Sequence, residues 1–118
     1  MTTIKNRAHY LMRTQQYDKA LDLLLEAIER ERENAQLYHL AGRCYLTQRK
    51  TAQAIDFLQQ ATLLDEERAE YHTKLANAYE LAGEPKKALE SYQRAFNTLS
   101  DMLYVSKRLA FLQERLAS

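Results

Sequence analysis

Glycine, proline and cysteine are scarce in this chain, which has 2 Gly, 1 Pro and 1 Cys among 118 residues. Glycine and proline are the residues that most destabilise a helix interior, so their scarcity favours a chain made almost entirely of helices joined by short turns. The single cysteine, Cys44, excludes an internal disulfide. The two glycines, Gly42 and Gly83, are far apart in the sequence and form no glycine-rich phosphate loop.

The chain also lacks an excess of charge of either sign, with 17 Lys and Arg against 16 Asp and Glu and a formal net charge of +1. Proteins that bind nucleic acid usually carry a basic stripe, so we expect no nucleic-acid partner. No apolar run approaches the about 20 residues that a membrane-spanning helix needs. The segment from Met1 to Arg7 lacks the apolar stretch of a secretory signal. These absences predict a cytoplasmic protein that does not insert into a membrane.

What the sequence does contain is a repeat with a period of 34 residues. Similar residues recur at this spacing in five columns: Ala20, Ala54 and Ala88; Ala27, Ala61 and Ala95; Leu24, Leu58 and Tyr92; Leu11, Tyr45 and Tyr79; and Ala8, Gly42 and Ala76. A fixed period of this length is typical of stacked-repeat proteins. The small columns predict close approach of paired helices, and the large ones predict packing between successive pairs.

The residues within each period identify the type of repeat. The second repeat contains Tyr38, Ala41, Gly42, Tyr45, Ala54, Leu58 and Ala61, and the third contains His72, Leu75, Ala76, Tyr79, Ala88, Tyr92 and Ala95. This order resembles the tetratricopeptide repeat. The resemblance covers the whole chain and implies an all-α fold, a right-handed α-solenoid of three antiparallel helix pairs with a C-terminal capping helix. It implies one domain, 1–118, with repeats at about 1–34, 35–68 and 69–102 and a capping helix at 103–118.

The pattern predicts helices at about 3–14, 18–31, 35–48, 52–65, 69–82, 86–99 and 103–116. Gly83 suits a left-handed helix C-cap, and Pro85 suits the first turn of the next helix. Asp18 and Thr51 stand where they could cap the helices that follow them. In the last helix, one apolar stripe is formed by Val105, Leu109, Leu112 and Leu116. Phe111 and Tyr104 lie off that stripe and are either ordinary surface aromatics or part of a dimer contact or of the end of a ligand groove.

In the resembled family the first helix of each pair lines a concave face, and its residues outside the core contact the ligand. Carried over to this chain, the resemblance implies these partner-binding residues: Lys5, His9, Met12, Arg13, His39, Arg43, Leu46, Thr73, Asn77, Glu80 and Phe111. A subset of the family holds the C-terminal carboxylate of heat-shock chaperone tails in a clamp of basic and amide side chains. Leu40 and Glu70 stand at two of the clamp columns, and because neither can bind a carboxylate, they argue against that particular ligand.

We find no pattern that points to catalysis, to a cofactor or to a metal. Cys44 lies in a small-residue column and is expected to be buried, which leaves too few converging ligands for a metal with His9 or His39. The leading hypothesis is therefore a non-catalytic adaptor or scaffold that binds a peptide or helix of another protein in its concave groove. Two alternatives remain open. One is a small dedicated chaperone for a secretion or assembly substrate, and the other is a structural protein that self-associates, with a homo-oligomer formed through the C-terminal helix.

Overall fold

The computed structural model describes residues 2–98 and 102–117, and these form seven helices. The helices are α1 Thr2–Arg13, α2 Tyr17–Arg30, α3 Ala35–Thr47, α4 Thr51–Leu64, α5 Ala69–Leu81, α6 Pro85–Asn97 and α7 Met102–Ala117. Each helix packs on the next along the chain, and α3 also contacts both α1 and α5. The described residues therefore form an elongated stack of three helix pairs and a capping helix, with extents of 45 × 25 × 21 Å. This confirms the predicted α-solenoid.

The small-residue columns lie where paired helices come closest. Ala8, Ala54 and Ala88 are completely buried. At Gly42 an added Cβ atom would lie 2.6 Å from Cγ of Leu58, so α3 approaches α4 more closely than any side chain at this position would permit. The predicted role of the small columns is confirmed.

Large residues from successive pairs fill the core in two clusters. Leu24, Leu37 and Leu40 are central to the N-terminal cluster, and Leu58 and Tyr92 to the C-terminal one. Tyr45 is half-buried and packs against both clusters, which makes the core continuous along the stack. Because each pair buries its apolar face only against its neighbours, the stacking itself stabilises the fold.

The turn inside each helix pair uses the same left-handed backbone at the same repeat position. Gly83 has φ 74°, and the equivalent residues Gln15 and Arg49 have φ 62° and 64°. The predicted left-handed cap at Gly83 is therefore confirmed, and α6 begins at Pro85 as expected. In the first two repeats the chain adopts this conformation without glycine, at a cost in backbone strain.

The predicted capping roles of Asp18 and Thr51 are wrong. The N-cap positions of α2 and α4 are occupied by Gln16 and Lys50, and neither makes a side-chain capping hydrogen bond. The Asp18 carboxylate instead accepts a hydrogen bond from Nε2 of Gln48 at 3.1 Å. Asp18 therefore links two adjacent repeats instead of capping the N-terminus of its own helix.

The last helix covers the open side of the third pair. Val105 and Leu112 are buried against α6, and Leu109 packs beside them. Leu116 is 37% exposed, so the apolar stripe leaves the core in the final turn. The predicted capping role of this helix agrees with its packing. Among the described helices, none is both long enough and apolar enough to cross a membrane.

Candidate functional site

The N-terminal half of the concave face contains a cavity of about 240 Å³ between α1, α3 and α5. Its lining residues come mainly from the positions that the sequence predicts to contact a partner: His9, Met12, Arg13, Tyr17, Arg43, Leu46, Thr47 and Lys74. Lys5 is half-buried one helical turn before His9, outside the lining itself. Side chains that are distant in the sequence meet here because α3 contacts both α1 and α5.

The cations of this cavity have no carboxylate partners. Within residues 2–98 and 102–117, no ion pair involves Arg13, Arg43 or Lys74. The two helices that form most of the cavity carry no acidic residue, since the sequences of α1 and α3 contain neither Asp nor Glu. Their acidic neighbours lie on other helices. The cavity therefore combines unpaired positive charge with the apolar side chains of Met12 and Leu46.

His39 is not the exposed groove residue that the sequence predicts. Its side chain is 2% exposed and its ring packs against Tyr71, with the ring centroids 4.5 Å apart. Neither ring nitrogen has a hydrogen-bond partner, and the nearest carboxylate oxygen, Oε1 of Glu70, is 3.5 Å from Nε2. Burial, followed by the nearby cations led by Arg43 and Lys74, lowers the pKa of His39 to about 3. His39 is thus a neutral residue in the floor of the groove.

Asn77 and Glu80 lie in the C-terminal half of the concave face, but their polar atoms are already engaged. The Asn77 amide donates to the hydroxyl oxygens of Tyr92 at 2.7 Å and Tyr104 at 2.9 Å. The Tyr92 hydroxyl donates to Oε1 of Glu80 at 2.6 Å, and Arg108 forms an ion pair with the same carboxylate. These two predicted contact residues therefore fasten α5 to α6 and α7.

Burial and hydrogen bonding within this network raise the pKa values of Tyr92 and Arg108. Burial, and then the hydrogen bond to Glu80, raises the pKa of Tyr92 above its usual range. The hydrogen bond from Arg108 to Glu80 raises the pKa of the Arg108 guanidinium. Arg108 is not identifiable from the sequence, because a lone arginine on the polar side of a capping helix has no distinguishing spacing. It is placed by the packing of α7 against α6.

Two predicted contact residues, Phe111 and Thr73, are partly exposed and lie outside the cavity between α1, α3 and α5. Phe111 on α7 is 43% exposed, and the guanidinium groups of Arg108 and Arg115 lie 4.7 and 5.4 Å from its ring centroid. Thr73 on α5 is half-buried. Neither lines the cavity between α1, α3 and α5.

Two other concave features differ from this cavity in chemistry. The largest, about 1010 Å³, lies beside the turns between repeats, where Arg32 pairs with Glu29 at 3.4 Å and Arg68 with Asp65 at 3.4 Å. Its charges therefore compensate each other. A cavity of about 430 Å³ on α1 is lined by Thr3, Asn6, Arg7, Tyr10 and Leu11. The Tyr10 side chain is 57% exposed.

The residues considered for metal or nucleophilic chemistry are dispersed or buried. Cys44 is fully buried, which raises the pKa of its thiol to about 11. His72 is buried, and its Nε2 lies 2.9 Å from the backbone oxygen of Glu66. In the part of the chain that the structure describes, no three His, Cys, Asp or Glu side chains are grouped to hold a metal ion.

Comparison with known proteins identifies the family. A tetratricopeptide repeat model matches residues 11–78, and a second tetratricopeptide repeat model matches residues 72–102. The chain belongs to the tetratricopeptide repeat family. A segment of 55 residues is 40% identical to the general transcriptional corepressor trfA of Dictyostelium discoideum. That segment is 47% of this chain but only 4% of trfA, so the chain spans a small fraction of that relative's length.

Solved tetratricopeptide repeat structures share the fold at low sequence identity. The first repeat domain of Spaghetti (RPAP3), bound to the HSP90 peptide SRMEEVD, has a TM-score of 0.92 at 18% identity, over 99% of this chain and 93% of that one. The Yersinia enterocolitica type III secretion chaperone SycD, in complex with a peptide of the translocator YopD, has a TM-score of 0.89 at 13% identity, over 97% and 92%. The Sgt2 domain of Aspergillus fumigatus has a TM-score of 0.88 at 19% identity, over 98% and 78%.

Proposed function

We propose that this tetratricopeptide repeat protein is an adaptor that holds a peptide or an amphipathic helix of a partner protein in the N-terminal half of its concave groove. The observation that carries the proposal is the cavity between α1, α3 and α5, where unpaired cations surround accessible apolar side chains. Peptide-binding surfaces commonly combine apolar anchors with a few polar groups that set orientation. Met12 and Leu46 would be the anchors, and Lys5, His9, Arg13 and Arg43 would orient the partner.

The two halves of the groove differ in whether their polar side chains are free to bind a partner. In the C-terminal half, hydrogen bonds within the protein engage Asn77 and Glu80, and a partner would have to replace them. Breaking a hydrogen bond to a charged group costs about 1.5–3 kcal/mol. We therefore assign Thr73 and Phe111 to the rim of the binding surface, and Asn77 and Glu80 to a supporting role that holds α7 in place.

The peptide-bound structures of similar fold support the general mode of binding and not the same ligand. At two columns where the chaperone-tail clamp needs polar or basic side chains, this chain has Leu40, which is 1% exposed, and Glu70. A buried leucine offers no hydrogen bond, and a carboxylate repels the carboxylate that the clamp would hold. The proposed partner is therefore bound by a different set of contacts.

Two further functions follow from the same fold. A small chaperone that shields a secretion or assembly substrate would use the same groove, and the shared fold with SycD is consistent with it. Self-association would use other surfaces, and the exposed Tyr10 beside Arg7 at one end of the stack and Phe111 at the other are its candidate contacts. We propose that the chain acts in the cytoplasm, without nucleic acid, cofactor or catalysis, as one domain over 1–118.

Photo-crosslinking tests which face binds the partner. A photoreactive phenylalanine analogue replaces Leu46 in the groove or, as the matched control, Leu63, which is 66% exposed on α4. After irradiation in the source cells, we expect a discrete protein adduct from position 46 and none from position 63. An adduct only at position 63, or only between copies of this chain, would contradict the groove proposal.

A further inference from the structure

In the first two repeats, positive charge lies on the inner helices and most of the negative charge lies outside them. The outer helix α2 also carries Lys19 and Arg30, and in the third repeat the inner helix α5 carries Glu70 and Glu80. The inner helices α1 and α3 contain Lys5, Arg7, Arg13 and Arg43 and no acidic residue, although the whole chain has almost equal numbers of acids and bases. The outer helix α2 carries exposed Asp18, Asp22, Glu26 and Glu29. A protein with a net charge of +1 thus concentrates positive charge on the concave side of its first two repeats.

His39 lies at the point where the basic residues of the concave side converge. Its ring is 98% removed from solvent, since its exposure is 2%, and both ring nitrogens lack hydrogen-bond partners. After burial, the causes that lower its pKa are charge–charge interactions with Arg43, Lys74, Arg68 and His9. These groups converge from three helices and from the turn before α5 on one point. Among the described residues, the carboxylate of Glu70 lies 3.5 Å from Nε2 of His39 and is 62% exposed, and Arg68 is paired with Asp65.

The cations lie beside apolar side chains and not on a uniformly polar surface. Arg43 and Lys74 line the same cavity of about 240 Å³ as Met12, Leu46 and Tyr17. Arg43 and Lys74 form no ion pair within the described residues and repel each other, so an anion placed between them would relieve that repulsion. An apolar residue beside that anion would remove Met12 and Leu46 from water.

We infer that the groove of the first two repeats recognises an acidic segment of its partner, in which Asp or Glu side chains bind Arg43 and Lys74 and a neighbouring apolar side chain packs on Met12 and Leu46. The recognised carboxylates belong to side chains within the segment and not to a chain terminus. This inference rests on the proposed function and specifies the chemistry of its partner. Electrostatic attraction of this kind also accelerates association and weakens with added salt.

Selection from a display library of short random peptides tests the inference without knowledge of the partner. The peptides are fused at both ends, so none presents a free terminal carboxylate. Selected sequences are then synthesised with blocked termini, and their affinity for the chain is measured by fluorescence anisotropy. We expect the selected peptides to be rich in Asp and Glu with an adjacent apolar residue.

Matched charge variants locate the binding site. The double variant Arg43→Glu with Lys74→Glu should weaken binding about tenfold or more. Lys19→Glu with Arg94→Glu changes the net charge equally, at two exposed positions on α2 and α6 that form no ion pair with any described residue, and should leave binding within about twofold. The neutral pair Arg43→Gln with Lys74→Gln serves if the charge reversal unfolds the protein, as circular dichroism would reveal.

The outcomes separate failure of this inference from failure of the proposed function. Selected peptides that need the groove but are not acidic would overturn the inference and leave the adaptor function standing. If no selected peptide depends on Arg43, Lys74, Met12 or Leu46, both are overturned. A concentration-dependent increase in mass of the chain alone, abolished by Arg43→Glu with Lys74→Glu, would assign the groove to a second copy and would also overturn the inference.

Discussion

The substitution Gly42→Ala tests the close packing of α3 on α4 with a single added methyl group. A Cβ atom at this position would lie 2.6 Å from Cγ and 2.7 Å from Cδ2 of Leu58, and 3.2 Å from its backbone nitrogen. Rotation of the Leu58 side chain cannot relieve the last contact. Leu58 is itself fully buried, so its displaced atoms have no free space to enter. The helices must therefore separate by several tenths of an ångström.

Two opposing effects set the size of the change in stability. Overpacking of a well-packed core costs about 1–3 kcal/mol. Replacing glycine by alanine inside a helix contributes about 0.8–1 kcal/mol of favourable helix propensity. Two contacts below 3.0 Å and one involving backbone place the steric cost in the upper part of its range. We therefore expect a net destabilisation of about 1–2 kcal/mol.

Urea denaturation followed by circular dichroism measures this free energy, and an unchanged slope would show that the extent of unfolding is the same. A double-mutant cycle with Leu58→Ala identifies the cause. Leu58→Ala alone should cost about 2–5 kcal/mol, and Gly42→Ala added to it should cost much less than in the unaltered protein. If Gly42→Ala stabilises the protein, or if the two costs simply add, the steric explanation is refuted.

Two further substitutions, a change of pH and a thiol-labelling experiment test other features of the structure. Arg49→Gly should stabilise the protein by about 0.5–1 kcal/mol in urea denaturation, because glycine removes the strain of φ 64° and that gain exceeds its greater entropy in the unfolded chain; no gain would show that the turn is unstrained. Tyr92→Phe should destabilise it by about 1.5–3 kcal/mol, because the half-buried carboxylate of Glu80 loses a donor at 2.6 Å, and a neutral result would contradict a structural role for the network. His39 stays neutral when folded but binds a proton in the unfolded chain below its ordinary pKa of 6.5, so stability should fall by about 2 kcal/mol between pH 7 and pH 5, and the His39→Gln variant should lack this part of the loss. Cys44, with a pKa of about 11 and no exposed surface, should react with a thiol reagent only after unfolding in urea, and rapid labelling of the folded protein would contradict its burial.

The sequence identifies most of the unpaired cations of the groove. It identifies the residues that surround them only in part. The resemblance to the tetratricopeptide repeat implied that Arg43 and Leu46 lie on the concave side with His9 and Met12, and they line one cavity. Lys74 also lines it, although it is not among the partner-binding residues that the resemblance implied. Its importance depends on the position of α5 against α3, which no local pattern specifies.

The helices, their pairing and the residues packed between them follow from the repeat pattern of the sequence. Helix formation and packing against a neighbour depend on local spacing, and a period of 34 residues repeats that information three times, which is why Ala54, Ala88 and Gly42 are buried where the columns predicted. The left-handed turn at Gly83 is local in the same sense, because only the backbone of one residue decides it.

The burial and hydrogen bonding of individual polar side chains on the concave face depend on how the helices pack together. His39 and Arg43 lie one helical turn apart on α3, yet the first is buried against Tyr71 of the next repeat and the second lines an open cavity. Glu80 lies at a predicted contact position, yet Arg108, which is 28 residues away, engages its carboxylate. Burial and hydrogen bonding depend on atoms that other helices bring within a few ångströms, and the relative placement of those helices is not encoded in the spacing of any one of them.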